Sequence, residues 1–498
     1  MKFVLLLFTI IFSMNSEFFA QSSYSKLYEL GYGNDNLPRS ILEANETLYL
    51  SSGDICYSTN SSCTTLSSFS KNGELISSNN NELLKGGNES NLELSEDDFV
   101  ISCQSSQSDK LSLDFLFVEE DLSNSFPRTT FLDSTFQVTN EGILYHQNNY
   151  YTYGNGRFIE TDSIQGYIIK WDKELQNALD IFFVNDQDLD NYVDDLQIDS
   201  QGNLVYTNQG TSSIGNEDIS LFTTLDTAGN VLKQFEFRNP KNEEHTNFIL
   251  TDSDDYVYPA SYPEFFLESI LCFDAEDFSL KWHTSLPYQV IDDTFRSYDV
   301  FSVTRAKNGD ILGCGDVFMP VGDLGKYHTA FFFRMDALTG ELLWIRYYLS
   351  PNDTNPSEGE YYHDSFFSVI KEMENGDLQL AGRVAPEVGS LVNRLWLLRT
   401  ASNGCLTDNC GEENVISSTD DPKLSEEILV FPNPSLGNFQ IISSHSIDKV
   451  EVYNMNGSLI NTYKGDQNIA LSNAVNGIYV FKIYLSEGQI ILKKGIKI

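Results

Sequence analysis

The sequence predicts an all-β protein: a β-propeller of about seven four-stranded blades followed by a small immunoglobulin-like β-sandwich. Three observations predict it. Two kinds of turn recur in step along residues 38–404. Aromatic residues make up 13% of the chain, with 34 Phe and 26 Tyr, which suit pleated, half-buried strands. The charge also changes abruptly near the carboxyl end. From Pro422 onward seven Lys meet six Asp or Glu and no Arg, a net of +1, so the rest of a chain carrying −41 holds −42.

The first turn of each unit is plainest at Ser200-Gln201-Gly202-Asn203, Lys307-Asn308-Gly309-Asp310 and Glu374-Asn375-Gly376-Asp377. Weaker copies stand at Asn45-Glu46, Glu96-Asp97-Asp98, Asn140-Glu141-Gly142 and Ser253-Asp254-Asp255. Asn, Asp and Gly tolerate the positive φ of tight hairpins, so these are turns with a physical cause. The second series runs Lys71-Asn72-Gly73-Glu74, Glu119-Glu120-Asp121, Asp172-Lys173-Glu174, Asp226 to Asn230, Asp274 to Asp277, Asp336 to Glu341 and Ala401 to Gly404. Apolar runs such as Ala330 to Met335 and Leu395 to Leu398 precede the turns of this series. Together they give about seven units with a period of roughly 45 to 65 residues. A pair of sandwiches offers no reason for repeats in step, and β-helix coils are shorter. Radial packing also protects the strand edges of an all-β chain.

Composition bounds the function. A net charge of −41 repels phosphate and argues against nucleic acid as a partner. At the amino end Lys2, the apolar run Phe3 to Phe12 and Phe18-Phe19-Ala20-Gln21 read as a secretory signal peptide over 1–20, cut after Ala20. That run is too short for a transmembrane helix, and none is expected in the mature chain. Seven cysteines suit an exported protein. Cys56 and Cys63, and Cys405 and Cys410, close short loops that disulfides can span. Cys103, Cys272 and Cys314 remain, and the odd count leaves at least one thiol free.

The spacing offers little chemistry. GxSxG, HExxH and Walker A patterns are absent from the sequence, and no catalytic residue is assigned. Asp186, Asp188 and Asp190 alternate as calcium ligands do. Asn191 and Gln197 stand where an EF-hand loop needs Gly and Glu, so calcium is a weak candidate and no other cofactor is expected. The six histidines (His146, His245, His283, His328, His363 and His445) lie far in sequence from the cysteine pairs, against a zinc site. His283, His328 and His363 are candidates for one common surface.

The tail reads as short strands over Asn438 to Ser443, Lys449 to Tyr453, Ser458 to Tyr463, Asn468 to Leu471, Ile478 to Tyr484 and Gln489 to Lys493. It opens with Pro432-Asn433-Pro434 and Gly437. Val450 to Asn454 then leads into Gly457, followed by Gly477-Ile478-Tyr479 and the basic pair Lys493-Lys494. This resembles the type A C-terminal sorting domain of type IX secretion cargo. The resemblance implies recognition by the type IX translocon, passage over the outer membrane of a Gram-negative bacterium, and removal of the tail. The cargo is then released or held at the cell surface. On this reading the chain divides into a signal peptide (1–20), a propeller (21–410), a polar linker (411–427) and a sorting domain (428–498).

Met335 to Trp344, and more loosely Phe273 to Trp282, resemble a blade motif of quinoprotein propellers, whose tryptophans dock neighbouring blades. Quinone-binding members have adjacent cysteines, and this chain has no Cys-Cys pair, which removes quinone chemistry. Three readings of the body follow: a binding or adhesion module for a surface glycan or protein, a polysaccharide-active hydrolase or lyase, and a structural surface component. The first is preferred because the acidic, repeat-built body has no catalytic motif. Fold alone does not choose among them.

Overall fold

A computed structural model describes residues 23–28, 30, 37–56, 61–85, 92–94, 100–105, 112–118, 126–131, 136–161, 163–184, 192–211, 218–238, 247–262, 267–286, 298–320, 326–349, 365–384, 393–406, 415–417, 429–431, 435–443, 446–454, 459–465, 468–471, 474–485 and 490–497. Every regular element among them is a strand. The chain divides into two compact units, residues 1–348 with 359–416, and residues 349–358 with 417–498.

Among the described residues the first unit holds seven antiparallel sheets, each built in meander order. The first comprises Leu37–Ala44, Thr47–Cys56, Ser61–Ser70 and Leu75–Lys85, and the second Leu92–Leu94, Val100–Ser105, Ser112–Val118 and Phe126–Phe131. The third comprises Phe136–His146, Asn149–Phe158, Ile164–Trp171 and Ala178–Val184, and the fourth Tyr192–Ile198, Leu204–Thr211, Asp218–Leu225 and Val231–Arg238. Ile249–Leu250, Tyr256–Tyr262, Leu267–Phe273 and Leu280–Ser285 form the fifth. Tyr298–Arg305, Ile311–Pro320, Lys326–Met335 and Leu342–Leu349 form the sixth, and Val415–Ser417 adds a short outer strand. The seventh takes Ser365–Glu372, Leu378–Val384 and Arg394–Thr400 from one end of the body and its outer strand, Tyr24–Tyr28, from the other, with Tyr24 opposite Arg399 and Tyr28 opposite Leu395.

A sheet buried on both faces needs apolar residues at consecutive positions rather than alternate ones. Phe331, Phe332 and Phe333, and Leu395, Trp396, Leu397 and Leu398, are accordingly all fully buried. Among the described residues seven apolar clusters result, each filled from two successive sheets. The cluster of Leu312, Phe332, Phe367 and Trp396 joins the sixth to the seventh. That of Leu48, Leu50, Ala381 and Leu397 joins the seventh back to the first. The first strands of successive sheets are neighbours around the whole circuit, so they line its centre. At the seam Ser368 Oγ donates to Pro38 O (2.7 Å), and the Glu374 amide donates to Glu43 Oε2 (2.9 Å).

The turns fall largely where the sequence places them. Asn45 and Glu46 take φ of 49° and 63°, and Gly309 and Gly376 take 90° and 88°. One differs: Asn140-Glu141-Gly142 is not a turn but a β-bulge inside Phe136–His146, and the chain reverses at Gln147 and Asn148. The same irregularity recurs in the first strands of the first, fourth, sixth and seventh sheets. The facing strand must then approach closely. A Cβ on Gly315 or Gly382 would sit 1.8 Å from a backbone oxygen of the bulged strand, which explains glycine in the middle of a strand.

Two devices recur where successive sheets meet. An aromatic ring from an outer strand presses on the left-handed turn glycine of the following sheet: Phe182 on Gly229, Trp282 on Gly340, Trp344 on Gly404 and, across the seam, Tyr24 on Gly73. Trp282 Nε1 also donates to Ala337 O (3.2 Å). The second device is an arginine fork. Arg334 donates to Asp310 (2.7 Å) and Asn308 (2.7 Å) in its own sheet and to Ser402 O in the next (3.4 Å). Arg399 repeats this with Asp377 (3.0 Å), Asn375 (3.2 Å) and Lys71 O (3.2 Å).

In the second unit a three-stranded sheet (Leu429–Phe431, Asn438–Ile442, Asn468–Ala470) and a four-stranded one (Leu459–Lys464, Ile447–Asn454, Gly477–Leu485, Ile490–Lys497) share one core of Phe439, Ile441, Val450, Val452, Ile469, Phe481 and Ile483. Gly495 is bare because the Phe481 and Phe439 rings occupy the space a Cβ would take, at 2.4 and 3.0 Å.

Candidate functional site

Three features of the body are chemically distinctive. The first is a cleft of about 520 Å³ where the first strands of the fourth, fifth and sixth sheets end. Its lining includes Asp199, Ser200, Asp252, Asp254 and Arg305. Asp254 accepts from the Ser200 amide (2.8 Å) and hydroxyl (2.6 Å), tying two sheets together. Asp252 pairs with Arg305, again across two sheets. Asp199 caps its own turn, accepting from the Gln201 and Asn203 amides at 2.9 and 2.8 Å. Among the described residues no aromatic side chain lines the cleft.

On the first strand of the fourth sheet, Asp195 sits at the bulge and accepts from the Leu196 amide (2.8 Å) and, on the next sheet, the Phe248 amide (3.2 Å). Burial pushes its carboxyl up to about 6, against the pull of the Gln197 side chain and these amides. The second feature lies on the first strands of the first, second and seventh sheets. Burial raises Glu93 and lowers Lys371, and each charge opposes the other's shift, with Glu43 adding to the field on Lys371. Lys371 Nζ donates to Ile41 O at 3.5 Å. The third is the pair His328 Nδ1 and Asp316 Oδ2, 2.5 Å apart in the sixth sheet, the Asp316 side chain being 7% exposed and that of His328 35%.

Many other acidic residues serve their own turns. Asp226 accepts from the Asn230 side chain and from the Asn230 and Ala228 amides, which hold its carboxyl below the ordinary range. Asp336, capped by Thr339, is lowered likewise. This local use accounts for part of the acid in the second turn series.

The calcium candidates Asp186, Asp188 and Asp190 lie outside the described residues, as do the signal peptide, His245, His363, His445, the side chain of Cys103, and Cys410. Among the described residues no group of three or more His, Cys, Asp or Glu is placed to hold a metal. His283 stands on the outer strand of the fifth sheet, opposite Leu271, whereas His328 is on the third strand of the sixth. Cys63 faces Asp54 and Cys56 faces Ser61, so the two cysteines are diagonal rather than opposite neighbours in backbone register. Cys272 and Cys314 are buried free thiols. The arginine forks escaped the sequence reading. Their signal was an Arg 24 and 22 residues after the Asp of an Asn-Gly-Asp turn.

In the tail, Pro432, Asn433, Pro434 and Gly457 lie outside the described residues, and the rest of the expected signal converges. Gly437, at φ 109°, accepts from the Leu471 amide (2.6 Å). Ser435 bridges to Lys497, whose Nζ donates to Ala474 O. Gly477 is opposite Lys497 and Tyr479 opposite Gly495, and the Tyr479 hydroxyl donates to Val475 O. Lys493 and Lys494 stand opposite Phe481 and Val480. Glu451 accepts from Lys449 (2.8 Å), Tyr453 (2.8 Å) and Tyr484 (2.7 Å), and Lys449 foremost holds its carboxyl down at about 2.

Residues 429–497 match the family described as the secretion system C-terminal sorting domain. This stretch is a sorting domain. It marks a protein exported by the type IX secretion system to the cell surface or beyond. No curated protein matches the chain. Among solved structures, a puromycin hydrolase superposes with a TM-score of 0.50 at 8% identity, over 93% of this chain and 62% of its own. The chain thus spans less than two thirds of that protein. The propeller domain of the trilobed protease from Pyrococcus furiosus gives 0.38 at 10% identity, over 77% and 96% of the two chains. The WD40 domain of Neurospora crassa Pan2 gives 0.41 at 9%, over 75% and 92%. At these identities the likeness concerns fold alone. Ahead of its sorting domain this cargo carries a propeller body.

Proposed function

We propose that the body is a binding or adhesion module for a surface glycan or protein, delivered outside the cell by its sorting domain. One observation carries this reading: the polar cleft over the fourth to sixth sheets. Its carboxylates are held by Ser200, by Arg305 and by turn amides, so they form a fixed pattern of acceptors and donors. A glycosidase needs two carboxyl groups facing a reacting bond, commonly beside an aromatic platform, and among the described residues the cleft lining has no aromatic side chain. Export through a signal peptide cut after Ala20, a linker over 411–427 and disulfides from Cys56, Cys63, Cys405 and Cys410 belong to the same reading.

The test is binding of the purified full chain to glycan and surface-protein arrays, beside an Arg305→Ala variant. Ligand retained by the wild type and lost by the variant supports the reading. Release of new reducing ends from a polysaccharide refutes it in favour of a hydrolase or lyase. The observation favouring that second reading is His328, partly exposed and held by buried Asp316 as a general base is held by its orienting group.

A further inference from the structure

The stretches that carry the sorting signal are more than fifty residues apart in sequence, yet they meet at one edge of the tail. The meeting point is the Lys497 side chain, in a residue only 7% exposed. Its Nζ donates to Ala474 O, and its backbone bridges to Ser435. A Cβ on Gly437 would stand 2.9 Å from Lys497 Cε, so the stem of this lysine fills the space beside the glycine. Gly437 O in turn receives the Leu471 amide at 2.6 Å, and the Ala474 amide donates to Leu471 O at 3.0 Å. A basic residue near the chain end is therefore a buried strut rather than a displayed charge.

Next to the two segments that this strut joins stand Leu436, 82% exposed, and Val475, 80% exposed. Each adjoins a residue that Lys497 touches: Leu436 precedes Gly437, and Val475 follows Ala474. Two large apolar side chains exposed this far beside one buried strut offer a surface that a partner can cover. The occupant is set by the role of the domain, which is to be recognised by the export machinery.

We infer that the type IX machinery reads a folded epitope, an apolar edge presented by Leu436 and Val475 and held in shape by Lys497, rather than a linear basic tail. The inference rests on the sorting domain and is independent of what the body binds. Its test uses the full chain in a type IX-competent host, with two readouts: the fraction reaching the medium or cell surface, and the protease resistance of the tail in purified protein. Leu436→Ser with Val475→Ser changes exposed positions, where stability hardly moves. It is expected to keep protease resistance and to lose export to the level of a chain without the tail. Lys497→Ala is expected to lose both together. Wild-type export of the double variant overturns the proposal. So does a Lys497→Ala tail that stays protease-resistant but is no longer exported, because the lysine is then read directly. A Lys497→Ala tail that is degraded in vitro yet exported normally also overturns it. Should the double variant lose protease resistance, Leu436→Gln and Val475→Thr singly give the same reading, and normal export of both refutes it.

Discussion

Removing the Arg399 guanidinium breaks the ring where its two ends meet. The Arg399 side chain is 4% exposed and that of Asp377 is 6%. Its three hydrogen bonds reach Asp377 and Asn375 within the seventh sheet and Lys71 O on the first, so one side chain spans the seam. Arg399→Ala deletes all three and leaves the Asp377 carboxylate buried without its counter-charge. Orphaning one member of such a pair costs about 3–5 kcal/mol, and the void left by the side-chain stem adds to it. Urea denaturation followed by tryptophan fluorescence is the assay. All four tryptophans (Trp171, Trp282, Trp344 and Trp396) lie in the body, so the signal excludes the tail. The midpoint should fall with little change of slope. Arg334→Ala, which cuts the same fork between the sixth and seventh sheets, should cost a similar amount. Replacing both partners by apolar residues, Arg399→Met with Asp377→Leu, should recover most of the loss. A cost for Arg399→Ala under about 1 kcal/mol, the worth of an exposed ion pair, refutes the reasoning.

Gly340→Ala sets a Cβ 2.5 Å from Trp282 at a residue with φ of 71°, and should destabilise the body by about 1–3 kcal/mol in the same denaturation assay. Asp195 gives a pH signature. Its folded pKa, about 6, lies above its ordinary value of 3.8, so the folded state binds the extra proton. Its contribution is fully present below pH 4 and is lost as pH rises through 6, a difference of about 3 kcal/mol. Asp195→Asn should flatten the stability profile of the body between those limits, and an unchanged profile contradicts the assignment. Burial pushes the Cys272 thiol up to about 12 and raises Cys314 well above the ordinary thiol range. Peptide mapping should find neither alkylated by iodoacetamide in native protein at pH 8 and both alkylated in urea.

The sequence by itself determined the class and the rhythm of this protein. Tight turns need residues that accept positive φ, so Asn, Asp and Gly announce them locally. Strands buried on both faces must be continuously apolar, as Phe331 to Phe333 are. The opener at Gly437, the Gly477-Tyr479 pair and the basic end announced the tail in the same way, because each is a local pattern. Asn140-Glu141-Gly142 misled, since a bulge and a turn ask for similar residues and only the register separates them. Tertiary structure alone decided the rest. Arg399 reaches Lys71 over 328 residues, and Lys497 reaches Ala474 over 23. No local pattern distinguishes such a charge from a solvated one. Whether a charged side chain is a strut, a cleft wall or a surface group depends on what the folded chain brings beside it, through burial and Coulomb fields that act over distance in space.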